Sequence, residues 1–189
     1  MQLTWDPPVA DGQYVAERAW KRAVLDECPF HAGGGCGATG HGSYARVHPA
    51  GARVARFWCP VERASISLLP AFLAARLPCT LDEIEAVLDA VEQAVSVVEA
   101  AEFARPADDE HAVTSISAMR WVRRRLGPVR AALLALVTLL PALAGCRPTL
   151  GALRARLGVT RVLVTLRSLA KMHLHLLSPP LGLCARAAR

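Results

Sequence analysis

Lysine is almost missing from this chain: Lys21 and Lys171 are the only two, so the positive charge rests on arginine. Carboxylates are missing from an entire region. No Asp or Glu follows Glu110, whereas thirteen bases lie between Met119 and Arg189. A GC-rich codon bias accounts for arginine in place of lysine, but not for 71 residues without an acid. Aromatics make up only 5% of the residues, which points to helices packed through small aliphatic side chains. Long apolar runs are lacking too. The longest, Ala131 to Gly145, contains Pro141 and falls short of the ~20 residues a membrane helix needs, so it reads as a buried helix. The opening MQLTWDPPVADGQY has neither the basic start nor the apolar run of a secretory signal, and the expected location is the cytoplasm. In that reducing compartment six cysteines are ligands or buried thiols rather than disulfides.

Enzyme signatures are also lacking. There is no glycine-rich phosphate loop ending in Lys and no Gly-x-Ser-x-Gly elbow. Two-metal nucleases bring carboxylates together from distant points of a sheet, whereas Asp108-Asp109-Glu110 is one contiguous acidic turn. The chain reads as non-catalytic.

What is present is concentrated between Cys28 and Pro70. Those 43 residues hold three of the six cysteines and three of the six histidines around a strand-turn-strand pattern. Thiolates and imidazoles converge mainly to hold a soft or borderline cation, and zinc is the commonest. Cys28-Pro-Phe-His31 forms a first knuckle, followed closely by Cys36 and His41, and Cys59-Pro-Val-Glu62 stands where the second knuckle belongs. The expected ligands are Cys28, Cys36, Cys59 and one of His31, His41 or His48, with His31 the first choice. The alternative is a ribbon that has lost its zinc and keeps the cysteines as core thiols.

The expected fold class is mainly α: a small β-hairpin zinc-ribbon-like module, then a multi-helix body with a helix-turn-helix-like unit. The hairpin spans Ser43 to Cys59, turning at His48-Pro49-Ala50-Gly51, and is the only sheet expected. Thr80, with Glu83 three residues on, marks a helix start. From there Leu81, Ile84, Leu88, Val91, Val95 and Val98 form a core seam, with the acids on the opposite face. A helix is predicted over about 113–126, ended by Gly127, with Pro128 opening another over 129–143. Two more follow, over 149–157 and 160–174, separated at Gly158. The segments are 1–27, a lead and short helix; 28–70, the ribbon; 71–126, the helix-turn-helix-like region; 127–178, basic helices; and 179–189, a tail.

The string CPFH, HGSYARV, ARFWCP, SISLLP and LPCTLDEIEAVLDAVE resembles the zinc-ribbon and helix-turn-helix start of transposon-associated proteins, insertion-sequence transposases among them. The likeness reaches on through SVVEAAEFA and SISAMRWVRRRL, covering about Cys28 to Leu126. It implies structural zinc and a grip on transposon-end DNA. Two departures stand out: Glu62 occupies a place where the family has a cysteine, and the acidic 108–110 precedes the would-be recognition helix.

Ten acids and one base lie between Leu81 and Glu110, against the acid-free basic stretch after Met119. A one-signed surface attracts a polyanion; the alternative is neutralisation of the basic helices by the acidic one. On the first reading Arg120, Arg123, Arg124 and Arg125 contact phosphates, one of them reading guanine, and Ser115 and Ser117 touch base or backbone. A non-catalytic DNA-binding protein results, its zinc ribbon bracing an arginine-lined helix. The second expectation is a helical interaction subunit that joins a recombinase or transposase without DNA affinity of its own.

Overall fold

The structure, a computed structural model, describes residues 1–31, 33–94, 99 and 115–183, apart from the side chains of 115–119 and 121. The chain divides into two units, 1–80 with 183–189, and 81–182.

The first unit is built on a four-stranded mixed sheet, not on a lone hairpin. Its strands are β1 (Gln2–Trp5), β2 (Thr39–Ala45), β3 (Arg53–Cys59) and β4 (Ala64–Pro70), in the order β1-β4-β3-β2. β2 and β4 flank β3 antiparallel, and β1 adds to β4 in parallel. This overturns the mainly α expectation: the fold is mixed. The cause is legible in β1 and β4, where Gln2 and Thr4 alternate with Leu3 and Trp5, and Ser65 and Ser67 with Ile66 and Leu68. That period of two gives each strand a polar and an apolar face. Residues 1–27 are therefore a sheet edge and two short 3₁₀ turns, Asp11–Gln13 and Ala19–Arg22, not a lead with an α-helix.

Those turns lay Tyr14 into the unit. Its ring is fully buried between Trp5, Trp20 and Phe72, and its hydroxyl donates to the Arg53 carbonyl at 2.6 Å. Burial pushes the phenol above its ordinary range, with nearby Tyr44 adding to the shift. The segment after β4 is not helical; Leu73 bridges to Thr80 instead.

The second unit is helical among its described residues: α1 (Leu81–Gln93), α2 (Ser115–Leu139), α3 (Leu150–Leu157) and α4 (Val162–Leu169), with 3₁₀ turns at Pro141–Leu143 and Lys171–Leu176. The helix start after Thr80, the Thr149 cap of α3 and the left-handed Gly158 closing it stand where the sequence places them. Leu81, Ile84 and Leu88 are buried as expected, Val91 is half-buried, and Val95 and Val98 lie outside the described residues.

Gly127-Pro128 does not separate two helices. α2 runs through it for 25 residues with Pro128 inside. An interior proline costs a helix roughly 3 kcal/mol. Around it Val122, Leu126, Val129, Ala132 and Leu133 are all buried, and each large apolar side chain contributes about 1.5–3 kcal/mol, enough to carry the helix past the break. The stretch that would join a helix-turn-helix, residues 100–114, lies outside the described residues.

α1 is amphipathic, but one of its acids faces inward. Glu85 is buried, and its carboxylate accepts from the backbone N–H groups of Val162 (3.0 Å) and Leu163 (2.9 Å) at the start of α4. Glu92 does the same for α3, accepting from Leu150 (2.7 Å) and Gly151 (3.0 Å). The first turn of a helix has amide donors without intrahelical partners and a partial positive charge, so a carboxylate there satisfies both. Arg161, which precedes α4, supplies no side-chain cap of its own. Arg154 bridges Glu85 and Asp89, and Arg161 pairs with Asp82. Hydrogen bonds to Asp89 and then Glu85 hold the Arg154 guanidinium above its ordinary range.

Candidate functional site

Cys28, His31, Cys36 and Cys59 converge: one ligand atom from each lies within 4.8 Å of every other, making a group that can hold a metal ion. The four residues reach the site from three local structures. Cys28-Pro-Phe-His31 is a tight turn, closed by the His31 N–H donating to the Cys28 carbonyl at 3.0 Å. Cys36 follows Gly33, Gly34 and Gly35, all at φ near +80°, a conformation open to glycine at no steric cost, so this run carries the chain round to a fourth corner. Cys59 ends β3, and the turn to β4 brings the Glu62 N–H to its sulfur at 3.5 Å.

His31 Nδ1 lies 3.5 Å from the Cys28 sulfur and 3.6 Å from that of Cys59. The opposite ring nitrogen, Nε2, is 4.0 Å from Glu62 Oε1. The ring therefore presents one nitrogen to the thiols and turns the other toward a carboxylate. In zinc sites a carboxylate hydrogen-bonded to that second nitrogen fixes the tautomer of a ligating histidine; here the 4.0 Å separation is longer than a hydrogen bond. Glu62, at the second-knuckle position, is not one of the four converging residues and lies on the side of the His31 ring away from the thiols. The three cysteines are buried together with Ile66, walled by Leu3, Leu25, Phe30, Ala38 and Phe57. Leu3 and Ile66 belong to β1 and β4, the strands not anticipated from sequence.

The other histidines go elsewhere. His41 is exposed and packs against Trp58, ring centres 5.9 Å apart, and His48 is in the exposed β2–β3 turn. Cys79 is buried and Cys146 half-buried, and neither joins the cluster. The described cysteines are all free thiols.

Among the predicted DNA-contacting residues, Arg120, Arg123 and Arg124 are exposed on α2 and make no ion pair with a described residue, while Arg125 is half-buried on the flank. Arg130 extends the exposed stripe to nearly three turns in all. At 100° per residue these four exposed arginines fall within an arc of about 120°. The Ser115 and Ser117 side chains lie outside the described residues.

The rest of the basic region is partly spoken for, because Arg154 and Arg161 answer acids of α1. Arg167 is fully buried, donating to the carbonyls of Pro180 and Leu181. Neutralisation between the acidic and basic helices is thus real, and among the described residues it leaves the exposed α2 arginines out. No described helix is long and apolar enough to cross a membrane. Comparison with protein-family models, with curated proteins and with solved structures finds nothing that matches this chain.

Proposed function

We propose that this is a non-catalytic DNA-binding protein, its first unit a ribbon held by structural zinc and its α2 helix lined with arginines for phosphate contact. The donor chemistry supports zinc. Three thiolates and one imidazole are a closed structural set with no position left for substrate. With Zn–S about 2.3 Å and Zn–N about 2.0 Å, a tetrahedral site has sulfur–nitrogen edges of about 3.5 Å. The two shortest sulfur–His31 separations, 3.5 and 3.6 Å, match that edge. The resemblance of the ribbon sequence to transposon-associated proteins points the same way.

The observation that carries DNA binding is the contrast in charge pairing. Arg154 and Arg161 sit in ion pairs with α1, whereas exposed Arg120, Arg123 and Arg124 have no ion-pair partner among the described residues. A solvent-facing stripe of fixed positive charge supplies sequence-independent phosphate affinity. Replacing Arg120, Arg123 and Arg124 with Gln is expected to weaken duplex binding for every sequence tested. The log–log salt slope flattens by about 0.9 for each phosphate no longer neutralised. Unchanged affinity and slope in a folded variant would retire the assignment.

A second reading draws on Leu134, which is 58% exposed on the same face of α2. There the stripe meets a protein partner such as a recombinase subunit. A stable hetero-complex with no duplex affinity at low salt would select it.

A further inference from the structure

The polar face of the sheet carries a second feature. Strand register puts Gln2, Arg56 and Ser67 side by side on one face, since Gln2 and Arg56 both pair with Ser67. They border an open pocket of about 370 Å³, closed off by Tyr44, Arg46, Ser65 and Arg76. Three arginines line it and, among the described residues, no acid does.

Two of the guanidinium groups are anchored. Arg46 donates to the carbonyls of Ala74 (2.9 Å) and Leu77, and Arg56 donates to Ser65 Oγ at 2.9 Å. Anchored donors lose less freedom when a ligand arrives. The pocket also has unmet hydrogen-bonding capacity: Arg46 Nε and Gln2 Oε1 are buried without a partner among the described residues. Buried polar atoms are normally satisfied, so an orphan donor on a pocket-lining arginine marks a place for an acceptor.

The next rung of the same face is aromatic. Trp58 pairs in register with Ser65, and His41 packs on it. An arginine-lined trough beside an accessible ring pair suits a chain of phosphates carrying unstacked bases. A duplex hides the faces of its bases, so only a single strand uses both halves of this surface.

We propose that this sheet face binds single-stranded nucleic acid, with Arg46, Arg56 and Arg76 around a phosphodiester and Trp58 stacking a base. The site belongs to the first unit and does not depend on the reading of α2.

The test uses the full chain in its metal-loaded form and a fluorescently labelled 15-nucleotide oligo-dT, titrated across salt. Arg56→Gln is expected to flatten the log–log slope by about 0.7, the single-strand value per phosphate, while Arg56→Lys restores it. Trp58→Leu is expected to weaken binding about tenfold or more. Arg120→Gln/Arg123→Gln/Arg124→Gln is expected to leave both responses to Arg56→Gln and Trp58→Leu in place, which separates this site from α2. Arg76→Gln, at an exposed position, serves as a second charge variant should Arg56→Gln melt early by circular dichroism. Oligo-dT binding insensitive to every sheet-face variant overturns the proposal. So does inorganic phosphate or a mononucleotide competing at concentrations equal to the oligonucleotide, since the ligand is then a free phosphate.

Discussion

The two units solve the same problem with opposite charges. In the first, a buried cluster of thiols and one imidazole gathers donor atoms around a space suited to a cation. In the second, a buried carboxylate gathers an arginine and two amide N–H groups around itself. Each is a polar knot in an apolar setting, and each joins segments far apart in sequence: Cys28 to Cys59 in one, Glu85 to Val162 in the other. A low-dielectric interior makes such knots strong when complete and costly when one member is removed. The difference lies in completeness. The Glu85 knot is closed by the chain's own groups, whereas the cysteine cluster can hold an ion from outside.

The sharpest way to break that symmetry is Cys59→Ser. It is expected to abolish metal binding and unfold the first unit's ribbon, because structural zinc supplies on the order of 10 kcal/mol in small ribbons and fingers. Elemental analysis and a chelator titration followed by circular dichroism check it; a variant that keeps one equivalent of zinc would exclude Cys59 as a ligand. The aromatic core around Tyr14 contains none of the clustered cysteines, so near-ultraviolet signal from Trp5 and Trp20 measures how far the unfolding spreads.

Glu85→Ala is expected to cost the second unit about 3 kcal/mol, leaving Arg154 without one partner and two α4 amides without acceptors. It should lower the melting temperature while zinc content stays at wild type. A melting temperature unchanged within error contradicts the closed knot.

Glu62→Gln sharpens the other side. It keeps all four ligands but removes the carboxylate behind His31, and a ten- to hundredfold weaker zinc affinity is expected, read by competition with a chromogenic chelator. If affinity does not move, Glu62 is a bystander.

Tyr14→Phe is expected to cost about 1 kcal/mol by removing the hydrogen bond to Arg53. It also has a pH signature. The folded phenol titrates above its ordinary value near 10, so the native state holds its proton longer than the unfolded chain, and stability falls as pH rises above about 10. Phenylalanine removes that share of the alkaline decline, and pH-dependent melts of the two proteins should diverge only there. The smallest effect is reserved for Asp82→Asn. Both partners of the Asp82–Arg161 pair are well exposed, so the pair is worth about 0.5 kcal/mol and fades with salt.

The convergence of Cys28, His31, Cys36 and Cys59 was legible from sequence because knuckle chemistry is local: a Cys-x-x-His turn, a glycine run and a cysteine ending a strand each announce themselves within a few residues. Choosing His31 over His41 and His48 needed only its spacing from Cys28. The sheet was missed for a different reason. β1 and β4 are short, and their pairing joins Gln2 to Ser67, a contact no local pattern encodes. Both strands nonetheless alternate polar and apolar residues, a signal that was present and outweighed by Pro7, Pro8 and Pro70 close by. Gly127-Pro128 misled in the reverse direction, since a strong local stop signal yielded to burial on both sides of it. Glu85 looked like one more acid on a solvated face; only the arrival of α3 and α4 makes it an interior residue.

That arrival has a consequence for how the C-terminal half exists at all. α3 and α4 are eight residues each, well short of the 12–15 at which an isolated helix holds in water. Their starting amides are met by Glu92 and Glu85, which belong to a helix some sixty to eighty residues earlier. Their shape is thus borrowed from α1, which acts on them as a mould acts on a casting. A peptide comprising residues 146–182 alone would be an extended polycation rather than a pair of helices.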